Sequence, residues 1–374
     1  MAIRSVGVEE ELLLVEPGTG QPRAVAETAL RDLQPATAAT DRAPDEQDVA
    51  ESIDFELQRQ QLETNTRPCH DLDELGQEIR RCRVLAAQVA ARAGVRVAAL
   101  GTSPVPVVPQ LVREGRYLKM ARRFGLVADE QLTCGCHVHV EVGSDEEGVA
   151  ALDRIRPWLP VLLALSANSP FWQGRDSAYA SFRYQAWGRW PSAGPTDPFG
   201  TVELYQQTIR RMVSTGTLLD TGMVYFDARL SEHYPTLEIR IADVCLYADD
   251  TMLIAALARA LVETAARRWR AGEAVSHDRL ELLRLASWRA SRSGVTDVLV
   301  HPLTGVPEPA ATVTSALLDH LRDALDEAGD TAAVTELLAG VLARGNGAAY
   351  QRDTYRDGGQ LPAMVDSAAD VTMR

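Results

Sequence analysis

The chain has 374 residues, 46% hydrophobic and 24% charged, which is ordinary globular usage and excludes an intrinsically disordered protein. Its 38 basic and 52 acidic residues sum to −14, so the surface repels phosphate backbones and argues against a nucleic-acid partner. Lys119 is the only lysine, and Tyr117-Leu118-Lys119-Met120 is neither a P-loop nor a Schiff-base setting, so any nucleotide must be gripped by arginines and metal ions.

In chain order, Ile3 to Val15 is β-prone, with Glu9, Glu10 and Glu11 where a secretory signal would be apolar. Asp54 to Thr66 alternates only loosely. Leu72 to Ala93 carries the helical stripe Leu72, Leu75, Ile79, Leu85, Val89 and stops at Gly94. Thr133 to Val142 is strictly period two. Asp145 to Ala167 reads as a helix; its apolar stretch, broken by Pro160 and Ser166, is far short of the ~20 residues of a membrane span. Ser169 to Gly200, crowded with Pro, Gly, Trp, Arg and Tyr, reads as a long structured loop of the kind that carries function.

Met223 to Leu246 holds two β-rich runs divided by Pro235. Thr251 to Arg270 is helical, with Arg267, Arg268 and Arg270 where a helix C-terminus favours positive charge. From about residue 277 the pattern is helical: His277 to Arg292, Ala310 to Ala328 and Thr331 to Arg344. The strands lack a βαβ rhythm, which predicts an α+β fold with a mainly antiparallel sheet. Without a low-complexity linker, residues 1–374 are expected to form a single domain. Five cysteines, an odd number without framework spacing, predict reduced thiols and a cytoplasmic location.

The chemistry is expected where charges occupy strand faces. Residues two apart on a strand share a face, so Glu9 and Glu11 project together, as do His137 and His139, and Glu238 and Arg240. Two buried carboxylates are costly unless a cation lies between them, imidazole can join them as a ligand, and arginine suits oxyanions. For each pair the bland alternative is a charged strand edge or a cross-strand salt bridge. Glu56 and Glu63 are offset by seven, so a regular strand would aim them to opposite faces; a bulge or turn intervenes, or only Glu63 serves the site. An oxygen-rich concave face suits Mg²⁺ or Mn²⁺, the usual partners of ATP phosphates.

Gly7-Val8-Glu9-Glu10-Glu11, Glu56 with Glu63-Thr64-Asn65-Thr66, Gly101-Thr102-Ser103-Pro104, Gly135-Cys136-His137-Val138-His139-Val140, Asn168-Ser169-Pro170-Phe171-Trp172 and Leu237-Glu238-Ile239-Arg240 occur in this order. Trp288-Arg289-Ala290 to Gly294 and Gly345-Asn346-Gly347-Ala348 to Gln351-Arg352 follow. Over nearly its whole length the sequence resembles the bacterial type 2 glutamate–cysteine ligases, the YbdK-like carboxylate–amine ligases. It departs from them at Glu141, where glycine is frequent, and at Ser293.

The resemblance implies a glutamine-synthetase-like fold: about six antiparallel strands, helices on the outer face, the site in the concavity. It implies Glu9, Glu11, Glu56, Glu63 and Glu238 as metal ligands, His137 as a metal or phosphate contact, His139 as a nucleotide contact and Arg240 as the catalytic, phosphate-facing arginine. The implied activity is ATP-dependent amide formation through an acyl phosphate, with glutamate and cysteine as substrates. An amide ligase for a secondary-metabolite carboxylate or amine, a phosphotransferase, and a non-catalytic nucleotide- or amino-acid-binding relative are the alternatives. Arg175, Tyr179 and Arg183, with Trp187, are the loop residues expected to recognise substrate. The partners expected are small-molecule carboxylates and amines, and a homodimer is compatible with the helical excess.

Overall fold

The computed structural model describes residues 3–31, 52–276 and 278–374. His277, the first residue of one expected helix and of the helical C-terminal part, lies outside the described residues. The strands are β1 (Val6–Val15), β2 (Ile53–Phe55), β3 (Gln61–Asn65), β4 (Arg96–Ala98), β5 (Gly135–Glu141), β6 (Phe171–Trp172), β7 (Arg175–Asp176), β8 (Ala228–Leu230), β9 (Thr236–Asp243), β10 (Val298–Val300) and β11 (Pro307–Pro309). Among the described residues, seven form one sheet in the order β2-β3-β1-β5-β9-β8, with β4 paired to the end of β1. Every pairing in it is antiparallel. The expected α+β class and the six-strand path are both present, and β4, too short for a periodic signal, is the addition.

The alternation in each long strand decides the two faces. Val6, Val8, Val138, Val140, Leu237, Ile239 and Ile241 are buried in one core cluster together with residues of the Leu72–Arg92, Asp145–Ile155, Leu159–Ser166 and Ala248–Arg270 helices. Burying each such side chain contributes about 1.5–3 kcal/mol, which holds the helices on the outer face. The Leu72–Arg92 helix starts where Asp71 accepts the backbone N–H of Glu74 (2.9 Å). The expected Asp145–Ala167 helix is instead two helices joined by a 3₁₀ turn at Arg156–Trp158. Pro157 and Pro160 cannot donate to the preceding turn, which accounts for the break.

The C-terminal helices pack on the same sheet: Met364, Val365, Ala368 and Ala369 share a cluster with Leu12, Leu14 and Val97. Beyond the three helices expected after residue 277, Gly347–Gly358 and Leu361–Thr372 are also helical. All five cysteines are buried and free. Among the described residues no helix is long and apolar enough to cross a membrane.

Candidate active site

Register brings the charged pairs of separate strands together. In β1, Glu11 stands opposite Glu63 of β3, and Glu9 stands opposite His137 of β5. His139 stands opposite Glu238 of β9, and Glu238 opposite Arg229 of β8. Directly opposed residues share a face, so these side chains all project to the inner face. Between the Cys136–Ala242 and Val138–Ile239 pairs, Arg240 and Ile241 face His137 alone, a bulge of one extra residue in β9. Bulges re-aim side chains, and this one brings the Arg240 guanidinium to 3.4 Å from His137 Nδ1.

Glu56 joins through a turn. The chain reverses between Phe55 and Gln61, with β2 and β3 pairing antiparallel, so the odd offset from Glu63 does not separate the two carboxylates. Glu9, Glu11, Glu56, Glu63, Glu238, His137, His139 and Arg240 all line one cleft of about 920 Å³.

Two groups in it have metal-binding spacing: Glu9, Glu63 and His137, and Glu9, His139 and Glu238, each with ligand atoms within 4.8 Å of one another. Glu9 belongs to both. His139 Nδ1 is held by Thr236 Oγ1 (3.0 Å), and its Nε2 lies 3.0 Å from Glu9 Oε1 without an aligned hydrogen bond. His137 Nε2 is likewise buried without a hydrogen-bond partner, 3.8 Å from Glu11 Oε1. An imidazole fixed through one nitrogen, with the other left orphaned among carboxylates, fits a metal ligand. Glu11 is partly committed elsewhere, since its Oε2 accepts the backbone N–H of Gly135 (2.6 Å).

The electrostatics point the same way. Burial and the neighbouring Glu11 push Glu56 up to about 8, and burial with Glu9 and Glu56 pushes Glu63 well above the usual carboxylate range. Burial also opposes ionisation of Glu238, but Arg240 and Arg229 overcome it and hold Glu238 at about 2. Burial lowers His137, helped by Arg240, whereas the contact with Glu9 outweighs burial and raises His139. Carboxylates that resist ionisation at neutral pH mark negative charge that the arginines leave uncompensated.

Glu56 keeps its proton in the fold up to about 8 but loses it near 4.5 when unfolded, so the unfolded chain binds fewer protons in between and stability falls as pH rises through that window. Glu63 and Asp227, the latter raised to about 7 by burial, act in the same direction, as does His139 above its ordinary value. His137 and His320, both lowered chiefly by burial, act oppositely, and the depressed Glu238 does so only below this window. Without divalent cations, melting temperature should fall by several degrees from pH 5 to pH 8, and millimolar Mg²⁺ should reverse the fall. Thermal melts with and without a chelator measure it.

The loop residues are placed otherwise. Arg175 is exposed on the β6–β7 ribbon, and Tyr179 Oη accepts from Trp288 Nε1 (3.2 Å). Arg183 is buried against Gly135, where a Cβ would come within 2.2 Å of its Nη2. None of the three lines the cleft; Trp187 does. Residues 182–187 form a helix whose start is capped by Ser181, which turns Arg183 inward. Arg229, missed in the sequence, lines the cleft and donates to Glu238 (2.6 Å); the short alternation Ala228-Arg229-Leu230 was its only signal. Tyr225, Trp190 and Arg116 also line it and carried no periodic signal.

Several remaining motifs build a buried polar hub behind β9. Asp243 accepts from Asn168 N (2.9 Å), Ser169 Oγ (2.7 Å) and Ser181 Oγ (2.8 Å). Asn168 Oδ1 accepts from Gln351 (2.7 Å), and a Cβ on Gly347 would lie 2.1 Å from that oxygen, so only glycine permits the approach. Glu141 is structural too, accepting from Ser5 N and Oγ (3.0 Å each).

Residues 5–366 match glutamate–cysteine ligase family 2 (GCS2). The chain is 55% identical over 370 residues to "Putative glutamate–cysteine ligase 2-1" of Streptomyces avermitilis, covering 99% of each chain. It is 54% identical to "Putative glutamate–cysteine ligase 2" of Streptomyces coelicolor, covering 97% of each. In fold it is similar to the glutamate–cysteine ligase of Francisella tularensis, solved with AMP, at TM-score 0.69 and 13% identity, covering 100% of this chain and 89% of that one. The bifunctional glutathione synthetase of Pasteurella multocida also gives TM-score 0.69 at 16% identity, covering 99% of this chain and 52% of that one.

Proposed function

The chain belongs to glutamate–cysteine ligase family 2, and from that membership we propose that it is an ATP-dependent carbon–nitrogen ligase joining the γ-carboxylate of glutamate to the amine of cysteine or another amino compound. The observation that carries the reading is the convergence of five carboxylates, two imidazoles and Arg240 from four stretches of chain on one cleft. Glu9, Glu63 and His137, and Glu9, His139 and Glu238, would hold divalent cations, Mg²⁺ or Mn²⁺; Glu11 and Glu56 would complete the oxygen-rich surround. Such ions, when bound, neutralise triphosphate charge and orient it.

The protein's own part is positioning and charge. The γ-carboxylate attacks the γ-phosphorus of ATP in line, ADP leaves, and an acyl phosphate forms. Arg240 would stabilise the charge on the transferred phosphoryl group, the kind of electrostatic help that phosphoryl transfer needs most. The amine nitrogen then attacks the acyl carbon, the C–O bond to phosphate breaks, and the nitrogen gives up a proton. Glu238 would keep Arg240 in place, since it pairs with both Arg240 and Arg229. Trp187, Trp190 and Tyr225 wall the cleft and would exclude water that competes with the amine. A cytoplasmic location, where ATP is made, suits this reading.

The test is phosphate release from Mg²⁺-ATP across a panel of carboxylates and amines. Release with glutamate that rises on adding cysteine is expected. Release only with another acid would end the glutamate assignment, and none with any pair would favour a non-catalytic relative.

A further inference from the structure

Glu238 is 1% exposed, and among the described residues the only hydrogen-bond donors to its carboxylate are two arginines. The two hold it differently. Arg240 meets Oε1 through Nη1 alone, and among the described residues its buried Nε has no hydrogen-bond partner. Arg229, directly opposite on β8, donates from Nε to Oε2 (2.6 Å) and from Nη2 to Oε1 (3.4 Å). Its remaining nitrogen, Nη1, donates to the backbone oxygen of Val224 (3.0 Å).

A guanidinium is planar, so one that closes on a carboxylate along one edge and on a backbone carbonyl beyond it has a single orientation. The carbonyl it uses is itself fixed. Val224 is buried, and its neighbours are pinned to Ser192, whose Oγ donates to Met223 O (2.5 Å) and accepts from Tyr225 N (3.2 Å). Arg229 therefore ties Glu238 to the cleft wall, whereas Arg240 hangs from Glu238 by one nitrogen. Glu238 shares a metal-spaced group with Glu9 and His139, and His139 is held from behind by Thr236 in the same manner. The other group, Glu9, Glu63 and His137, contains no partner of Arg229.

We infer that Arg229 is a positioning residue: it fixes the Glu238 carboxylate for a divalent cation at the Glu9, His139 and Glu238 group, so its removal weakens cation binding although the cleft becomes more acidic. The inference rests on the metal reading proposed above. Charge alone predicts the opposite sign, because a guanidinium beside the group repels a cation. Orientation works the other way, since an outer partner that holds a ligand in place is worth about 10–100-fold in metal affinity.

Titration of the full chain with Mn²⁺, read by calorimetry and by the paramagnetic resonance of the free ion, tests it. The parent should show two classes of site. Arg229→Gln and Arg229→Lys should each weaken one class at least about tenfold and leave the other nearly unchanged. Lysine keeps the charge but lacks the fork, so a purely electrostatic role predicts parent-like binding in Arg229→Lys and tighter binding in Arg229→Gln. Phosphate release by Arg229→Lys should likewise need at least about tenfold more Mg²⁺ for half-saturation. Arg229 is part-exposed on β8, the end strand of the sheet path, so both variants should fold, as metal-free melts will show. Binding as tight as the parent's in either variant, or loss of the fold in both, would overturn the inference by giving Arg229 an electrostatic or a purely structural role. A parent that binds no Mn²⁺ would remove the metal reading and this inference with it. The expected binding pattern without phosphate release from any substrate pair would support the role of Arg229 and remove the ligase reading instead.

Discussion

Glu9→Gln is expected to lower ATP-dependent phosphate release by about a thousandfold or more, roughly 4 kcal/mol of transition-state stabilisation, with the fold intact. Glu9 is the one carboxylate shared by both candidate metal groups, so a single amide weakens both. Its removal should have little net effect on stability in the absence of metal. Glu9→Gln loses the contacts by which His137 and His139 hold the Glu9 carboxylate well below its ordinary range, but it also relieves the repulsion that raises the Glu63 carboxyl. The metal-free melting temperature should therefore change little, and the Mg²⁺-induced rise in melting temperature should vanish. A Glu9→Gln protein that turns over normally and still responds to Mg²⁺ would remove the metal reading. Glu238 is a poorer probe. It is buried between Arg229 and Arg240, so Glu238→Gln leaves two guanidiniums undercompensated and mixes catalysis with folding.

The neighbouring residue should behave in the opposite way. Glu10 points to the outer face, where it pairs with Arg83 at 2.6 and 2.8 Å, the two side chains being 2% and 1% exposed. Thr251 Oγ donates to the same carboxylate (2.6 Å), and Arg83 also donates to the backbone oxygens of Cys245, Leu246 and Thr372. The pair therefore ties β1 to the Leu72–Arg92 helix, the end of β9 and the C-terminus. Glu10→Gln leaves a buried guanidinium without its counter-charge, and removing one partner of such a pair costs about 3–5 kcal/mol. Urea unfolding should show that loss, while phosphate release per folded molecule and the Mg²⁺ response stay near the parent's. A variant with the parent's unfolding midpoint would show that the backbone acceptors alone satisfy Arg83. Two adjacent glutamates thus separate catalysis from stability, because a strand sends them to opposite sides.

The same local rule explains what could be read from the chain. Glu9 with Glu11, His137 with His139 and Glu238 with Arg240 share faces because side-chain direction in a strand depends only on its own backbone. The helix from Leu72 was legible for a similar reason: its apolar stripe and Gly94, with φ +69°, are local features. Where the reading left a choice or placed a residue elsewhere, the deciding contacts are distant in sequence. The turn after Phe55 that gathers Glu56 with Glu63 depends on β2 pairing with β3. Arg183 lies within the expected recognition loop but folds inward, because Gly135 on β5 leaves room for its guanidinium. Arg175 and Tyr179 stay outside the cleft, because Asp243 on β9 gathers Asn168, Ser169 and Ser181 and so anchors the loop at both ends.

Periodicity in the chain was enough to say which residues share a face within a strand. Only the packed fold decided that these strands are neighbours, that a bulge swings Arg240 toward His137, and which loop residues reach the cleft. Alternation is enforced by each residue's own backbone geometry, whereas register and loop placement minimise the energy of contacts between segments far apart in sequence.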